Sequence, residues 1–416
     1  MVDSPVNIRA LKRAAIDAVE CPQLPEKCEP TGKRIAVVGG GPSGLTAAYY
    51  LALMGHEVTV FEQFSKLGGM LRYGIPRYRL PAKNLDYDID AILSLGIEVK
   101  YNTTVGTDVS YKELEETFDS LYIAIGAHQG KSPGIEGEND DRVISAVEFL
   151  HSVEDGNPID LAGKDVVVIG GGNVAMDATR TARRLGANNV TCVYRRRKDD
   201  MTALPQEVEA AVAEGCELAT LKAPLRVEAR EDGLRLIVQG QMAGTYSWGR
   251  PKPVGLGGTE EAIPCDIIIS AIGQAVEFES FESAGLQVKN GKFMYEANAV
   301  GAGCSKTFVG GDCATGPATV IKAIEAGRIA AANIDELLGF NHVVWQDIDV
   351  PVAQFRDIVQ TGRANNAERP AEIRIKDFAD VEEPLKPEEI CQEAGRCLRC
   401  DHFGLGAFRV GRSPKW

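Results

Sequence analysis

Gly39-x-Gly41-x-x-Gly44 follows the apolar run Ile35–Val38 and opens a stretch of helical periodicity, with Pro42 and Ser43 inside the loop. Gly39 permits a tight turn, Gly41 lets the backbone approach a pyrophosphate, and Gly44 allows a helix to pack closely on a strand. The helix N-terminus then stabilises the diphosphate charge. Glu62, with Gln63 beside it, ends the next apolar run, where a carboxylate can accept hydrogen bonds from ribose hydroxyls. Gly170-x-Gly172-x-x-Ala175, with Asn173 and Val174 inside it, repeats the layout about 130 residues on. Where Glu62 stood, this second copy has Tyr194-Arg195-Arg196-Arg197-Lys198. A carboxylate at that position repels a 2′-phosphate and guanidinium groups bind one, so Arg195 and Arg196 point to NADP(H) rather than NAD(H).

Of ten cysteines, Cys192, Cys216, Cys265, Cys304 and Cys313 offer no close pair of the kind a disulfide reductase needs. The one Cys-x-x-Cys is Cys397-Leu-Arg-Cys400, preceded by Cys391, and a turn of that spacing can put two thiolates on an iron–sulfur cluster or on zinc. Cys21 and Cys28 lie near the other end of the chain. The spacing leaves three readings open: a cluster on Cys397 and Cys400 with two of Cys21, Cys28 and Cys391; ligands shared with another chain; or zinc or free thiols. Cys397 lies six positions after Cys391, and at about 100° each a continuous helix would rotate Cys391 well away, which makes it the poorest ligand of the three. The five histidines show no metal-binding spacing and read as structural.

These residues need strand ends to hold them. Three apolar runs finish in glycine turns: Leu121–His128, which carries Ala124 and Gly126; Ile267–Gln274, which carries Ile272 and Gly273; and Thr307–Cys313, which carries Gly311 and Asp312. A helical pattern follows the last, beginning near Ala318, Thr319 and Val320. The fold class expected is α/β: two dinucleotide-binding domains of parallel sheet and helix, the second inserted into a discontinuous first. The boundaries predicted are 33–155 with 280–340 for the first domain and 156–279 for the second. An N-terminal helical segment occupies 1–32 and a tail with the cysteine motif 341–416. Both terminal segments leave the same domain, so they can meet. With 416 residues and a formal charge of −14, the chain presents no field for a phosphate backbone, and nucleic acid is excluded as a partner. No run is long and apolar enough for a membrane span, and the N-terminus interleaves charges where a signal peptide is apolar, which predicts a cytoplasmic protein.

The segments GGGPSGL, GGMLRYGIPRYRLP, GGGNVAMDATRTARRLGA, VYRRR, ISAIGQ and FVGGDCATGPATVIKAIEAGR together resemble the small, FAD- and NADPH-binding subunit of glutamate synthase. They also resemble the related flavoprotein modules of iron–sulfur oxidoreductases and transhydrogenases. The resemblance implies FAD in the outer domain and NADP(H) in the inserted one. It puts Glu62 on the adenosine ribose and Gly69, Met70, Leu71, Arg72 and Ile75 near the flavin. It also puts Asp312 at the ribityl–pyrophosphate region, with the helix from Ala318–Val320 aimed at the flavin pyrimidine. The activity implied is an FAD-dependent NAD(P)H oxidoreductase subunit that exchanges electrons, through a 4Fe-4S or 2Fe-2S cluster, with a larger iron–sulfur or catalytic subunit. No general acid or base is nominated, because hydride transfer needs alignment rather than proton transfer. The competing readings are a stand-alone flavin or disulfide-type reductase and a non-catalytic assembly subunit. EAGRCLRCD resembles the start of the family's cluster segment, but there the segment is N-terminal and further cysteines follow.

Overall fold

The computed structural model describes residues 4–19, 24–247, 249–294, 306–344 and 361–397. The first sheet is parallel and five-stranded, in the order Thr307–Val309, Ser120–Ile123, Arg34–Val38, Glu57–Phe61, Glu98–Lys100. Four of the five residues of Arg34–Val38 are buried, as the continuous apolar run requires of a central strand covered on both faces. Its register sets Val38 beside both Phe61 and Ile123, so three strand ends stop at one level. The chain then leaves for a second parallel sheet, in the order Val143–Ser145, Ile267–Ser270, Asp165–Ile169, Asn189–Tyr194, Glu217–Thr220. It returns to close the edge of the first with Thr307–Val309, giving the α/β class.

The second sheet begins earlier than the boundary at 156 predicts. Val143–Ser145 pairs with Ile268–Ser270, and Ser145 caps the helix Ala146–Glu154, whose Ala146, Phe149 and Leu150 join the core of the second half. This three-residue edge strand is too short for periodicity to reveal its partner. A further antiparallel sheet, Lys222–Arg230, Gly233–Ser247 and Arg250–Cys265, is inserted before the last strand of the second half. A two-stranded ribbon, Gln129–Gly130 against Gln274–Ala275, marks where the chain passes between the halves.

The helix Val320–Leu337 lies on the helix Pro42–Leu53 at backbone contact. A Cβ on Gly327 would fall 2.2 Å from the Ser43 carbonyl oxygen and 3.0 Å from Thr46 Cβ. The far end of the longer helix is pinned by Asp335. Its Oδ1 lies 3.0 Å from His56 Nε2 and 2.7 Å from His342 Nδ1, and its Oδ2 accepts the His342 amide at 2.7 Å. His56 and His342, 286 positions apart in a chain whose histidines show no metal spacing, thus share one carboxylate, with Thr31 Oγ1 2.7 Å from His56 Nδ1. Among the described residues these three are the one group of ligand type within 4.8 Å of one another.

The two ends of the chain do meet. Glu393, buried in the helix Pro387–Gly395, accepts the Asn7 amide at 2.6 Å and the Ala364 amide at 2.7 Å, and Asn7 caps the helix Ile8–Asp17. Ala10, Ala364 and Leu385 form a small core between them. No helix is long and apolar enough to cross a membrane among the described residues.

Gly327→Ala should force the two helices apart and cost about 1–3 kcal/mol, the range for overpacking a close contact. Urea denaturation measures it, and an unchanged midpoint would refute the close-contact account.

Candidate functional site

The aligned strand ends of the first sheet open into a cleft of about 1020 Å³, part of it open to solvent. Gly39, at φ +104°, starts its floor; a Cβ there would sit 2.5 Å from the Ala124 carbonyl oxygen. Gly44 lies one turn into the helix, where a Cβ would reach 1.9 Å from the Gly39 oxygen, so loop and helix share one backbone surface. Gly41 faces Gly69, whose Cβ would come within 2.8 Å of Gly41 Cα. Side chains are thereby kept off this part of the cleft floor. The helix begins at Pro42 with no side chain capping Gly41, leaving its first amides for a ligand.

Glu62 is 4% exposed, and its carboxylate accepts the Gly40 amide at 2.8 Å and the Phe64 amide at 2.9 Å. Burial pushes this carboxyl above the ordinary range, and the amide donors pull it back part of the way. Each oxygen keeps a second lone pair for a hydroxyl donor. Across the cleft, Gly311 (φ +72°) precedes Asp312, whose Oδ1 accepts the Ala318 amide at 3.2 Å and whose carboxyl burial also pushes up.

Of the residues singled out in the sequence, the cleft is lined by Gly39, Gly41, Pro42, Ser43, Glu62, Gln63, Gly69, Met70, Ala124, Gly126, Gly311 and Asp312. Gly44 packs beneath it. Leu71, Arg72 and Ile75 instead line a smaller neighbouring cleft of about 540 Å³, where Arg72 pairs with Asp86. The helix Val320–Leu337 presents Ala323 to the main cleft; Ala318, Thr319 and Val320 are exposed and are not among its lining residues. Thr103, Thr104, Val105, His128, Val276, Glu277, Ser280 and Phe281 line it too, and sequence reading missed them. Ser280 and Phe281 sit on the short helix Glu279–Ser283 and the others on loops after strands, where no spacing marks them. His128 stands 5.6 Å from Phe64, ring to ring, and burial together with His151 lowers its pKa to about 4.

In the second half, Gly170 (φ +156°) would place a Cβ 2.5 Å from the Ala271 oxygen, and Gly171 lies under the Tyr194 ring. Gly172 caps the helix Asn173–Arg184, whose Ala175 is fully buried, while Asn173 Oδ1 accepts the Leu204 amide at 2.9 Å. Val174 packs partly on the core, and Ile272 and Gly273 lie on the turn after Ile267–Ser270, with Ile272 exposed. The four consecutive cations are not equivalent. Arg197 is tied to Asp200 at 2.8 Å and to Tyr246 Oη at 3.1 Å; Arg196 uses Nε on the Pro251 oxygen at 2.9 Å; Arg195 is exposed. Arg250 donates to Tyr194 Oη at 2.6 Å. The long hairpin thus forms a wall against the basic turn, a contribution from more than fifty positions away.

Cys28 donates its amide to the Leu53 oxygen at 2.7 Å, and Cys391 and Cys397 are exposed. These three belong to no group of ligand distance among the described residues; Cys21, Cys304 and Cys400 lie outside them. Cys192, Cys216, Cys265 and Cys313 are buried, each pushed up to about 12 by desolvation, which leaves them unreactive thiols.

Two parallel sheets, each with a glycine loop opening a helix, define the class of two-dinucleotide-domain proteins. The chain belongs to the pyridine nucleotide-disulphide oxidoreductase family, whose profile matches residues 10–78 and 33–327. It is 37% identical over 392 residues to the NADP(+)-dependent formate dehydrogenase subunit beta of Moorella thermoacetica, covering 90% of this chain and 55% of that protein. It is 34% identical over 322 residues to the glutamate synthase [NADPH] small chain of Escherichia coli, covering 73% and 68% respectively. The chain therefore spans about half the length of the formate dehydrogenase subunit. Mycobacterium tuberculosis FprA in complex with NADPH shares the fold, with a TM-score of 0.65 at 19% identity over 74% of this chain and 85% of that one.

The His128 shift has a testable sign. Its unfolded pKa is near 6.5 and its folded pKa about 4, so the unfolded chain binds the extra proton between those values. Stability should fall as pH drops through that window, by up to about 1.4 kcal/mol per unit. Denaturant midpoints at pH 7 and pH 5 for the native chain and His128→Gln check this; an equal slope in both refutes it.

Proposed function

We propose that this chain is the FAD- and NADP(H)-binding oxidoreductase module of a larger complex, exchanging electrons between NADPH and an iron–sulfur partner subunit. The observation that carries the reading is the contrast between two similar glycine loops: a buried carboxylate, Glu62, ends the strand at one, and Arg195 and Arg196 end it at the other. A bound flavin accepts two electrons together and releases them singly, which suits it to join a nicotinamide to a one-electron carrier. Glu62 would accept the adenosine ribose hydroxyls, the amides of Ser43 and Gly44 would hold the pyrophosphate, and Asp312 would lie at the ribityl chain. Gly69 and Met70 border the flavin end. Leu71, Arg72 and Ile75 support that wall from the neighbouring cleft, and the helix holding Ala323 carries its positive end towards the ring. In the second half, the amides after Gly170 and Gly172 hold the pyrophosphate. Arg195, exposed, and the unengaged Nη groups of Arg196 receive the 2′-phosphate.

The names of the relatives support the pairing with other subunits. A cluster on Cys397 and Cys400, completed by two of Cys21, Cys28 and Cys391 or by a partner's ligands, fits the meeting of the two chain ends. Free thiols at the described cysteines suit a cytoplasmic protein. A disulfide-type reductase is disfavoured, since the described cysteine nearest the cleft, Cys313, is buried and carries no paired thiol.

An absorbance spectrum of the purified chain tests the module: flavin bands with a broad visible shoulder that bleaches on reduction support it, and a chain that cannot be reconstituted with FAD refutes it. Replacing Arg195 and Arg196 with Gln should raise the KM for NADPH by at least tenfold and leave that for NADH within about twofold, since each charged contact contributes about 1.5–3 kcal/mol. Equal effects on both would sink the 2′-phosphate assignment. Cys397→Ser with Cys400→Ser should lower bound iron while flavin content stays constant; unchanged iron counts against the cluster.

A further inference from the structure

The two halves are joined by a ribbon of two residues per strand, Gln129–Gly130 and Gln274–Ala275, and by a contact in which Arg77 binds Glu154 and the Tyr73 ring stands against His151. These joins are thin for a reaction in which atoms from two cofactors must align within about 3–3.5 Å. A further junction lies elsewhere. Arg79, on the loop Pro76–Leu80 of the first half, donates to both oxygens of Asp177 on the helix Asn173–Arg184, at 2.7 and 2.8 Å, and pairs with Glu207 at 3.1 Å. Tyr78 is fully buried beside it, its ring 3.9 Å from the Arg184 guanidinium and 5.0 Å from that of Arg180.

The third member of this junction comes from the tail. Arg374, 4% exposed, donates Nε to Glu214 at 2.7 Å and pairs through Nη1 with Glu368. Glu214 also accepts from Arg180 at 2.7 Å and from Arg184 at 2.6 Å, so one carboxylate gathers three guanidinium groups. Burial works against its ionised form, but the arginines win and lower its pKa to about 2. The same tail segment reaches the first half, where the Val381 amide donates to the Tyr78 oxygen at 3.0 Å. It is held from outside by the N-terminal helix, through Arg9 on Glu382 and Arg13 on Asp380, each at 2.6 Å.

We infer that Arg374 is a positioning residue: by closing on Glu214 while its neighbours bind the Tyr78 loop, the terminal strap sets the angle of the NADP(H) half against the flavin half. This rests on the assignment of the two cofactors to the two halves. Arg180, Arg184 and Arg374 against Glu214, Glu207 and Glu368, with Arg79 against Asp177, make four positive and four negative groups. The tail brings one group of each sign, Arg374 and Glu368, so the cluster stays balanced with or without it; what seating adds is a third guanidinium on the buried Glu214 carboxylate. A seated tail fixes both halves at once, because it touches Glu214 on one and Tyr78 on the other. The strap touches neither dinucleotide site, so its loss should leave affinity and change rate.

The experiment uses the full chain with Arg374→Met, which keeps the side-chain stem, and Arg374→Lys, which keeps the charge but loses the planar fork. Anaerobic stopped-flow follows bleaching of bound FAD by NADPH. Pulsed spin-label distances are measured between non-natural residues at the exposed positions Lys112 and Glu231, one in each half. In Arg374→Met the limiting rate should fall at least tenfold with the NADPH Kd within twofold, and the distance distribution should broaden; Arg374→Lys should recover part of both. A native rate with a native distribution overturns the inference, as does a rate loss that merely follows a weaker Kd. Should Arg374→Met not fold, Arg374→Lys carries the same test with the same two outcomes. If the native chain takes up neither FAD nor NADPH, the cofactor assignment fails, while the distance measurement still decides whether the strap sets the angle.

Discussion

Everything at the main cleft depends on a backbone contact that admits no side chain. Gly44 lies so close to Gly39 that a methyl group on it would meet the Gly39 carbonyl oxygen at 1.9 Å, and one on Gly39 would meet that of Ala124 at 2.5 Å. That contact lays the helix Pro42–Leu53 against the end of Arg34–Val38 and turns its unpaired amides outward at the level where three strands stop. The longer helix Val320–Leu337 then packs on the first one through Gly327, so both helices border the same opening, the second through Ala323. The second half repeats the contact between Gly170 and Ala271. Each mouth is therefore bordered by helix amides that no side chain caps.

Much of this could be read from the residues alone because it is local. A glycine loop, the apolar run before it and the charge at the next strand end lie within about 25 positions, and each residue type has one mechanical reason to be there. The meeting of the termini was also legible, since it follows from domain order rather than from any contact. What escaped reading is contributed from a distance. Val143–Ser145 gives no periodic signal and takes its partner from Ile267–Ser270. Thr103, Val276 and His128 line the cleft from loops whose composition is ordinary. Leu71, Arg72 and Ile75 stand near the glycine motif in sequence, yet the short helix Met70–Tyr73 turns them into the adjoining cleft. Asp335 satisfies two histidines that sequence reading left unrelated.

The basic turn shows how structure refines a charge run. Four adjacent cations look interchangeable in sequence, but their neighbours divide them: Asp200 and Tyr246 immobilise Arg197, Pro251 orients Arg196, and Arg195 stays outside. The antiparallel hairpin is responsible for two of these restraints. An insertion that reads as an ornament on the sheet therefore shapes the wall beside the basic turn.

The interleaving of the two halves bears on how the molecule is made. During synthesis from the N-terminus, the second sheet has all its strands once Ile267–Ser270 emerges, whereas the first waits for Thr307–Val309. The half begun first is thus finished last. The strand Ser120–Ile123 keeps one flank unpaired throughout that interval, the kind of exposed edge that invites association with other chains. Residues 361–397 follow both halves in the chain, and their seating needs Glu214 of one half and Tyr78 of the other already in place.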